Sequence, residues 1–202
     1  MLKSIEALDV KRRPENPMSI RLLLAAAFVL CAIPAAQAVE YTRVNTHASQ
    51  ISFTYNQMGS RMYGTFARFE ATLDFDTEHL DRAHTTLHID LTSIDAGSED
   101  ANTELQKPAW FDTTAYPVAT FESTRIKDLG NNRYQIIGNL TLRGLTREVT
   151  VPMLLKSERS IGIFDAELVL KRSDFNVGAG EWSDSLVSND IDIQFRMVAP
   201  EH

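Results

Sequence analysis

From Ile51 onwards the chain alternates apolar and polar residues with a period of two. Strands with one buried face impose that period, because successive side chains point to opposite faces of a sheet. Ile51, Phe53 and Tyr55 alternate with Ser52, Thr54 and Asn56, and Phe69, Ala71, Leu73 and Phe75 with Arg68, Glu70, Thr72 and Asp74. Leu87, Ile89 and Leu91 alternate with His88, Asp90 and Thr92. The pattern recurs over 118–127, 134–143, 148–156, 164–172 and 191–197, which makes eight strands with the second of them taken over 62–75.

Turn chemistry separates the runs: Met58-Gly59-Ser60, Gly130-Asn131-Asn132, Gly144 and residues 157–161. Such short connections favour antiparallel hairpins in sequence order. Two long interruptions remain. The first, 96–117, contains a short helix expected from Ser98 or Glu99 to about Gln106, with Ser98 as N-cap and Glu99 and Asp100 in its first turn. The second, 173–186, is rich in Gly and Ser and carries Trp182. Eight antiparallel strands with one apolar face either close into a barrel or fold over as a two-sheet sandwich. The interior of an eight-stranded barrel is either filled by side chains or holds one small ligand, and both give the same alternation.

The N-terminal segment is of another kind. Arg21 precedes an unbroken apolar run over 22–33, and Pro34 leads into Ala36-Gln37-Ala38. That order is the layout of a secretory signal, and a run of twelve apolar residues falls short of the roughly 20 that span a bilayer. Cleavage is expected after Ala38, and Met18 makes a normal signal start by itself, so the expected organisation is a signal peptide over 1–38 and one domain over 39–202. The only cysteine, Cys31, lies in the apolar run, so residues 39–202 form no internal disulfide and offer no thiolate. Leu30 before it disfavours lipidation. Residues 1–38 hold five Lys/Arg and three Asp/Glu, which leaves fifteen basic against twenty-four acidic residues and a net charge of −9 on the remainder. Such a balance argues against nucleic acid, where cations supply most of the affinity.

Catalytic and metal chemistry find little footing. His84 and His88 are four strand residues apart, about 13 Å, too far to reach one ion from the same strand. No Gly-x-Ser-x-Gly elbow, phosphate loop or His-Glu-x-x-His is present. The alternation instead marks an apolar inward set: Phe53, Tyr55, Phe66, Phe69, Leu87, Ile89, Leu91, Phe121, Ile136, Leu140, Leu142, Phe164, Leu168 and Phe195, with Trp182 in a long connection. These are the expected lining of a cavity if the interior is hollow, and core if it is not. A register slip of one residue would exchange them for the outward set.

Ser49-Gln50-Ile51-Ser52-Phe53, Gly64-Thr65-Phe66, Ser93-Ile94-Asp95-Ala96-Gly97 and Trp110-Phe111-Asp112 occur in order, followed by Tyr116-Pro117 with Ala119-Thr120-Phe121. Then come the run 138–147 with Gly138-Asn139-Leu140, Lys171-Arg172-Ser173-Asp174-Phe175, and Gly178-Ala179-Gly180-Glu181-Trp182. This ordered set resembles the YceI-like proteins, periplasmic lipid-binding proteins of bacteria. The chain departs from many members at Asn56 or Gln57, where a histidine is common, and at residues 101–105. In both it looks like the branch related to domains found beside b-type cytochromes. The resemblance implies an all-β, eight-stranded antiparallel lipocalin-like barrel. It also implies a non-catalytic carrier of a polyprenyl chain, a quinone tail or a fatty-acid derivative, working in the periplasm without a metal or other cofactor. Arg143 and Arg147 are then the candidates to meet a polar head group. A membrane cytochrome or envelope partner and a homodimer are further implications. A filled barrel serving as a stress-response or interaction module, and an accessory partner that presents a quinone to a membrane cytochrome, are the alternative readings.

Overall fold

A computed structural model describes residues 39–178 and 186–202. The expected export segment over 1–38, with Cys31, and the candidate lining residue Trp182 lie outside the described residues.

The strands are β1 (Glu40–Arg43), β2 (Gln50–Gln57), β3 (Ser60–Phe66), β4 (Phe69–Asp76), β5 (His84–Asp90), β6 (Ile94–Asp95), β7 (Val118–Gly130), β8 (Arg133–Leu142), β9 (Leu145–Glu158), β10 (Ile161–Lys171) and β11 (Asp190–Pro200). One sheet contains them all in the order β1-β4-β5-β7-β8-β9-β10-β11-β2-β3-β6. Every ladder is antiparallel. The sheet also curls back on itself. Tyr41 of β1 bridges Glu201 beyond β11, Asn45 N–H donates to Val198 O at 2.7 Å, and His202 N–H donates to Glu40 O at 2.9 Å. The result is an all-β, antiparallel barrel, in which the sheet edges at this end are satisfied by each other.

The eleven segments are the eight expected strands, with the one over 62–75 divided into β3 and β4, and the short β1 and β6 in addition. β1 pairs with β4, with Tyr41 opposite Phe75, and β2 pairs with β3, with Ile51 opposite Phe66. The strand expected over 62–75 breaks at Ala67 and Arg68, whose N–H groups turn to Ser93 O (3.1 Å) and Ser93 Oγ (3.0 Å). Asp90 accepts from Thr92 N–H and caps the 3-10 turn Leu91–Ser93 that supplies those acceptors.

Three hairpins turn on two residues with positive φ: Met58-Gly59 (49° and 82°), Asn131-Asn132 (54° and 58°) and Arg143-Gly144 (51° and 72°). Paired positive φ is the conformation that matches strand twist in tight hairpins. The expected short helix is α1 (Glu99–Leu105), with Ser98 accepting from Ala101 N–H as its N-cap.

One end of the barrel is plugged by aromatic side chains. Tyr41 meets Phe164 edge-on with centroids 5.0 Å apart, Phe75 meets Tyr134 at 5.0 Å, and Phe75 meets Phe164 at 5.4 Å. Such edge-to-face pairs are worth about 0.5–1.5 kcal/mol each beyond burial. Three strand glycines admit rings over the sheet: a Cβ on Gly64 would run into Phe53, one on Gly138 into Phe121, and one on Gly162 into Tyr41.

Candidate ligand cavity

Above the aromatic plug the barrel is hollow. A cavity of about 560 Å³ runs from Phe75, Phe164 and Met153 up to Trp110, Arg172 and Val187, and reaches Ser98, Asp100 and Glu104 of the α1 segment at its rim. Its volume falls in the range of about 300–1,000 Å³ usual for small-molecule sites.

The wall follows the period-two rule strand by strand. Phe53 and Tyr55 come from β2, Phe66 from β3, Leu87 and Ile89 from β5, and Leu91 from the 3-10 turn. Phe121 comes from β7, Ile136, Leu140 and Leu142 from β8, Phe164 and Leu168 from β10, and Phe195 from β11. These expected positions converge on one space. Phe69 does not reach it: the residue sits directly after the bend at Ala67 and Arg68, half-buried and away from the wall.

Other wall residues follow from geometry that alternation does not encode. In β7 the ladder to β8 slips between Ser123 and Arg125, so the inward parity passes from Ala119 and Phe121 to Ile126. Val151 and Met153 of β9 and Ile193 and Met197 of β11, by contrast, are in phase with the alternation of their strands and also line the space. The phenol of Tyr55, on this wall, has its pKa raised above the ordinary tyrosine value by burial, so it stays a neutral hydroxyl in an apolar surface.

The two head-group candidates stand elsewhere. Arg143 donates to Asn176 O through Nη1 and to Pro108 O at 2.8 Å through Nη2, which ties three loops together and takes its guanidinium away from the cavity. Arg147 is exposed, donates to Thr146 O at 3.1 Å, and is also off the wall. The arginine that does line the cavity is Arg172, only 5 % exposed. It donates to the carbonyls of Val177 (3.0 Å), Gly178 (2.9 Å), Val187 (2.9 Å) and Ser188 (3.1 Å), and lies 5.9 Å from the centre of the Trp110 ring. Backbone dipoles thus surround the charge, and the side chain pins the loop after β10 to the segment that leads into β11. Its sequence signal was the segment 171–175, which carried a resemblance but no burial cue.

A patch of donors that could hold a metal is not found: among the described residues no three His, Cys, Asp or Glu side chains converge.

Residues 42–199 match the model of the YceI-like domain. The protein YceI of Shigella flexneri is 33% identical over 135 residues, 63% of this chain and 70% of that one. A UPF0312 protein of Pectobacterium atrosepticum is 31% identical over 165 residues, 77% of this chain and 85% of that one. Among solved structures, BcnA of Burkholderia cenocepacia superposes with a TM-score of 0.75 at 36% identity, covering 78% of this chain and 99% of that one. A polyisoprenoid-binding domain of Saccharophagus degradans has the same fold at a TM-score of 0.60 and 16% identity, over 81% of this chain and 99% of that one. The match across nearly the whole barrel, together with the hollow apolar interior, places the chain in the YceI-like family.

Proposed function

We propose that this chain is a non-catalytic periplasmic carrier of an isoprenoid-type lipid, held in the barrel with its polar end toward the rim at α1. The observation that carries the reading is the apolar cavity of about 560 Å³, walled by aliphatic and aromatic side chains from strands all round the barrel. Each CH₂ moved from water into such a wall is worth about 0.8 kcal/mol, so a prenyl chain binds there without a charged contact. The relative from Saccharophagus degradans, described as polyisoprenoid-binding, supports the ligand class. A filled-barrel interaction module expects dense packing where this space lies.

Titration of lipid-stripped protein with geranylgeraniol, followed by tryptophan fluorescence, tests the reading. Saturable binding at one ligand per chain is expected. Absence of saturable binding by any prenyl alcohol of fifteen or twenty carbons overturns it. The periplasmic setting rests on the export segment, and Val39 is expected as the first residue of protein recovered from the cell envelope.

A further inference from the structure

The barrel wall is not continuous. β9 and β10 form a hairpin whose ladder runs from Glu158 and Ile161 only as far as Met153 and Ala166. Beyond that rung, β9 continues to Leu145 paired with β8 alone, and β10 continues to Lys171 paired with β11 alone. Five further rungs that the register would supply, from Pro152 opposite Glu167 to Glu148 opposite Lys171, are not made. Among the described residues, the facing edges of the two strands pair with nothing along this length. The inward side chains Ala166, Leu168 and Leu170 beside the gap are half-buried, whereas Phe164 and Met153, where the ladder is intact, are buried.

A second cleft of about 620 Å³ lies on the outside of the barrel over the last rungs of the intact ladder, and takes in Pro152 and Glu167 at the start of the gap. It shares Met153, Ala166 and Phe195 with the inner cavity, so the two spaces are separated by the side chains of the last rung and their neighbour. Outside that sill the cleft is charged: Lys156 and Arg196 both reach Asp165, at 2.7 and 3.1 Å.

From the missing rungs and the shared wall we infer that the gap between β9 and β10 is a lateral portal, through which the apolar chain of the ligand slips into the barrel while its polar end travels, hydrated, outside the gap to the rim at α1. This rests on the carrier reading above. A hydrocarbon chain needs only a slot one chain wide. Two strand edges with no shared hydrogen bonds separate without breaking a ladder, whereas opening the wall at any fully paired hairpin breaks one bond per rung.

The portal is tested by bridging it. Thr150 and Val169, three positions beyond the last rung, are both exposed and off the cavity wall. In the full chain carrying Cys31→Ser, the pair Thr150→Cys and Val169→Cys supplies the only thiols, which a short bis-maleimide links. The probe is geranylgeraniol, with its association rate read by stopped-flow tryptophan fluorescence. Linking is expected to slow association by about tenfold or more, with the unlinked double variant binding at the wild-type rate. Since that unlinked variant reports its own folding, a slow linked form cannot be ascribed to damage by the substitutions. An unchanged rate after linking overturns the portal alone, because the chain then enters past α1. Failure of the wild-type protein to bind the probe overturns the carrier reading and the portal with it.

Discussion

Replacing Ala71 by Phe should shorten the chain that the cavity accommodates. Ala71 lies half-buried on the β4 wall opposite Leu87. At about 30 Å³ per water-sized group, a cavity of about 560 Å³ takes on the order of twenty carbons, or four isoprene units. A phenyl ring adds six carbons, about 180 Å³ at the same packing, which is roughly a third of the space. Each isoprene unit buries five carbons at about 0.8 kcal/mol apiece, about 4 kcal/mol gross. Fixing its rotatable bonds costs roughly half of that, by analogy with immobilised side chains. A net gain of about 2 kcal/mol per unit is about thirtyfold in Kd. In the wild type, affinity is therefore expected to climb from ten- to fifteen- to twenty-carbon prenyl alcohols and then level off. In Ala71→Phe the plateau moves to fifteen carbons. Displacement of a fluorescent fatty-acid probe measures the series, and thermal unfolding shows that the variant is folded. Affinity that keeps climbing past twenty carbons and ignores Ala71→Phe would refute the reasoning.

Three further outcomes follow from the packing. Arg172→Met leaves several buried carbonyls without their donor, at about 1–3 kcal/mol each, so urea unfolding should show a loss of about 3 kcal/mol or more by the same arithmetic; a loss near zero would contradict the pinning role. Gly64→Ala forces a Cβ against the Phe53 ring, and overpacking of that kind costs about 1–3 kcal/mol, readable as a lower Tm. The Asp90 carboxyl is held below the ordinary aspartate range, chiefly by the Thr92 hydroxyl and then by Arg68. A carboxyl depressed on folding stabilises the protein fully above its unfolded pKa and loses that contribution as pH falls through the folded one. Asp90→Ala should accordingly cost about 1 kcal/mol at pH 7, and the difference from wild type should shrink in denaturation curves as the pH is lowered through and below the ordinary aspartate range.

The strands and the direction of their side chains were legible because a period of two is a local property: Leu140, Leu142, Phe164 and Phe195 all face the cavity as alternation assigns them. What alternation could not carry is a change of phase. The slip at Ser123–Arg125 turns Ile126 inward, and the bend at Ala67–Arg68 takes Phe69 off the wall; each depends on a bond to another strand or turn. The short β1 preceding Ile51 has too few residues to show a period, yet it bridges to Glu201 and closes the barrel. Arginines misled for a related reason. Arg143 sits at a tight turn, where a solvated or ligand-facing side chain is the natural expectation, but loops distant in sequence bring Asn176 O and Pro108 O within its reach. Arg172, in contrast, ends the expected strand over 164–172 with nothing nearby in sequence to mark it, while the carbonyls that bury it come from residues 177, 178, 187 and 188. Whether the interior is hollow was not in the pattern, because a filled and an open barrel alternate alike.

Occupancy of this space by a lipid is tested most directly on protein purified without denaturation from its own cell envelope, extracted with organic solvent and analysed by mass spectrometry beside the intact complex. One isoprenoid-type lipid per chain is the expected result. A chain that yields no stoichiometric lipid, and that takes up none when prenyl lipid is added back, would contradict it.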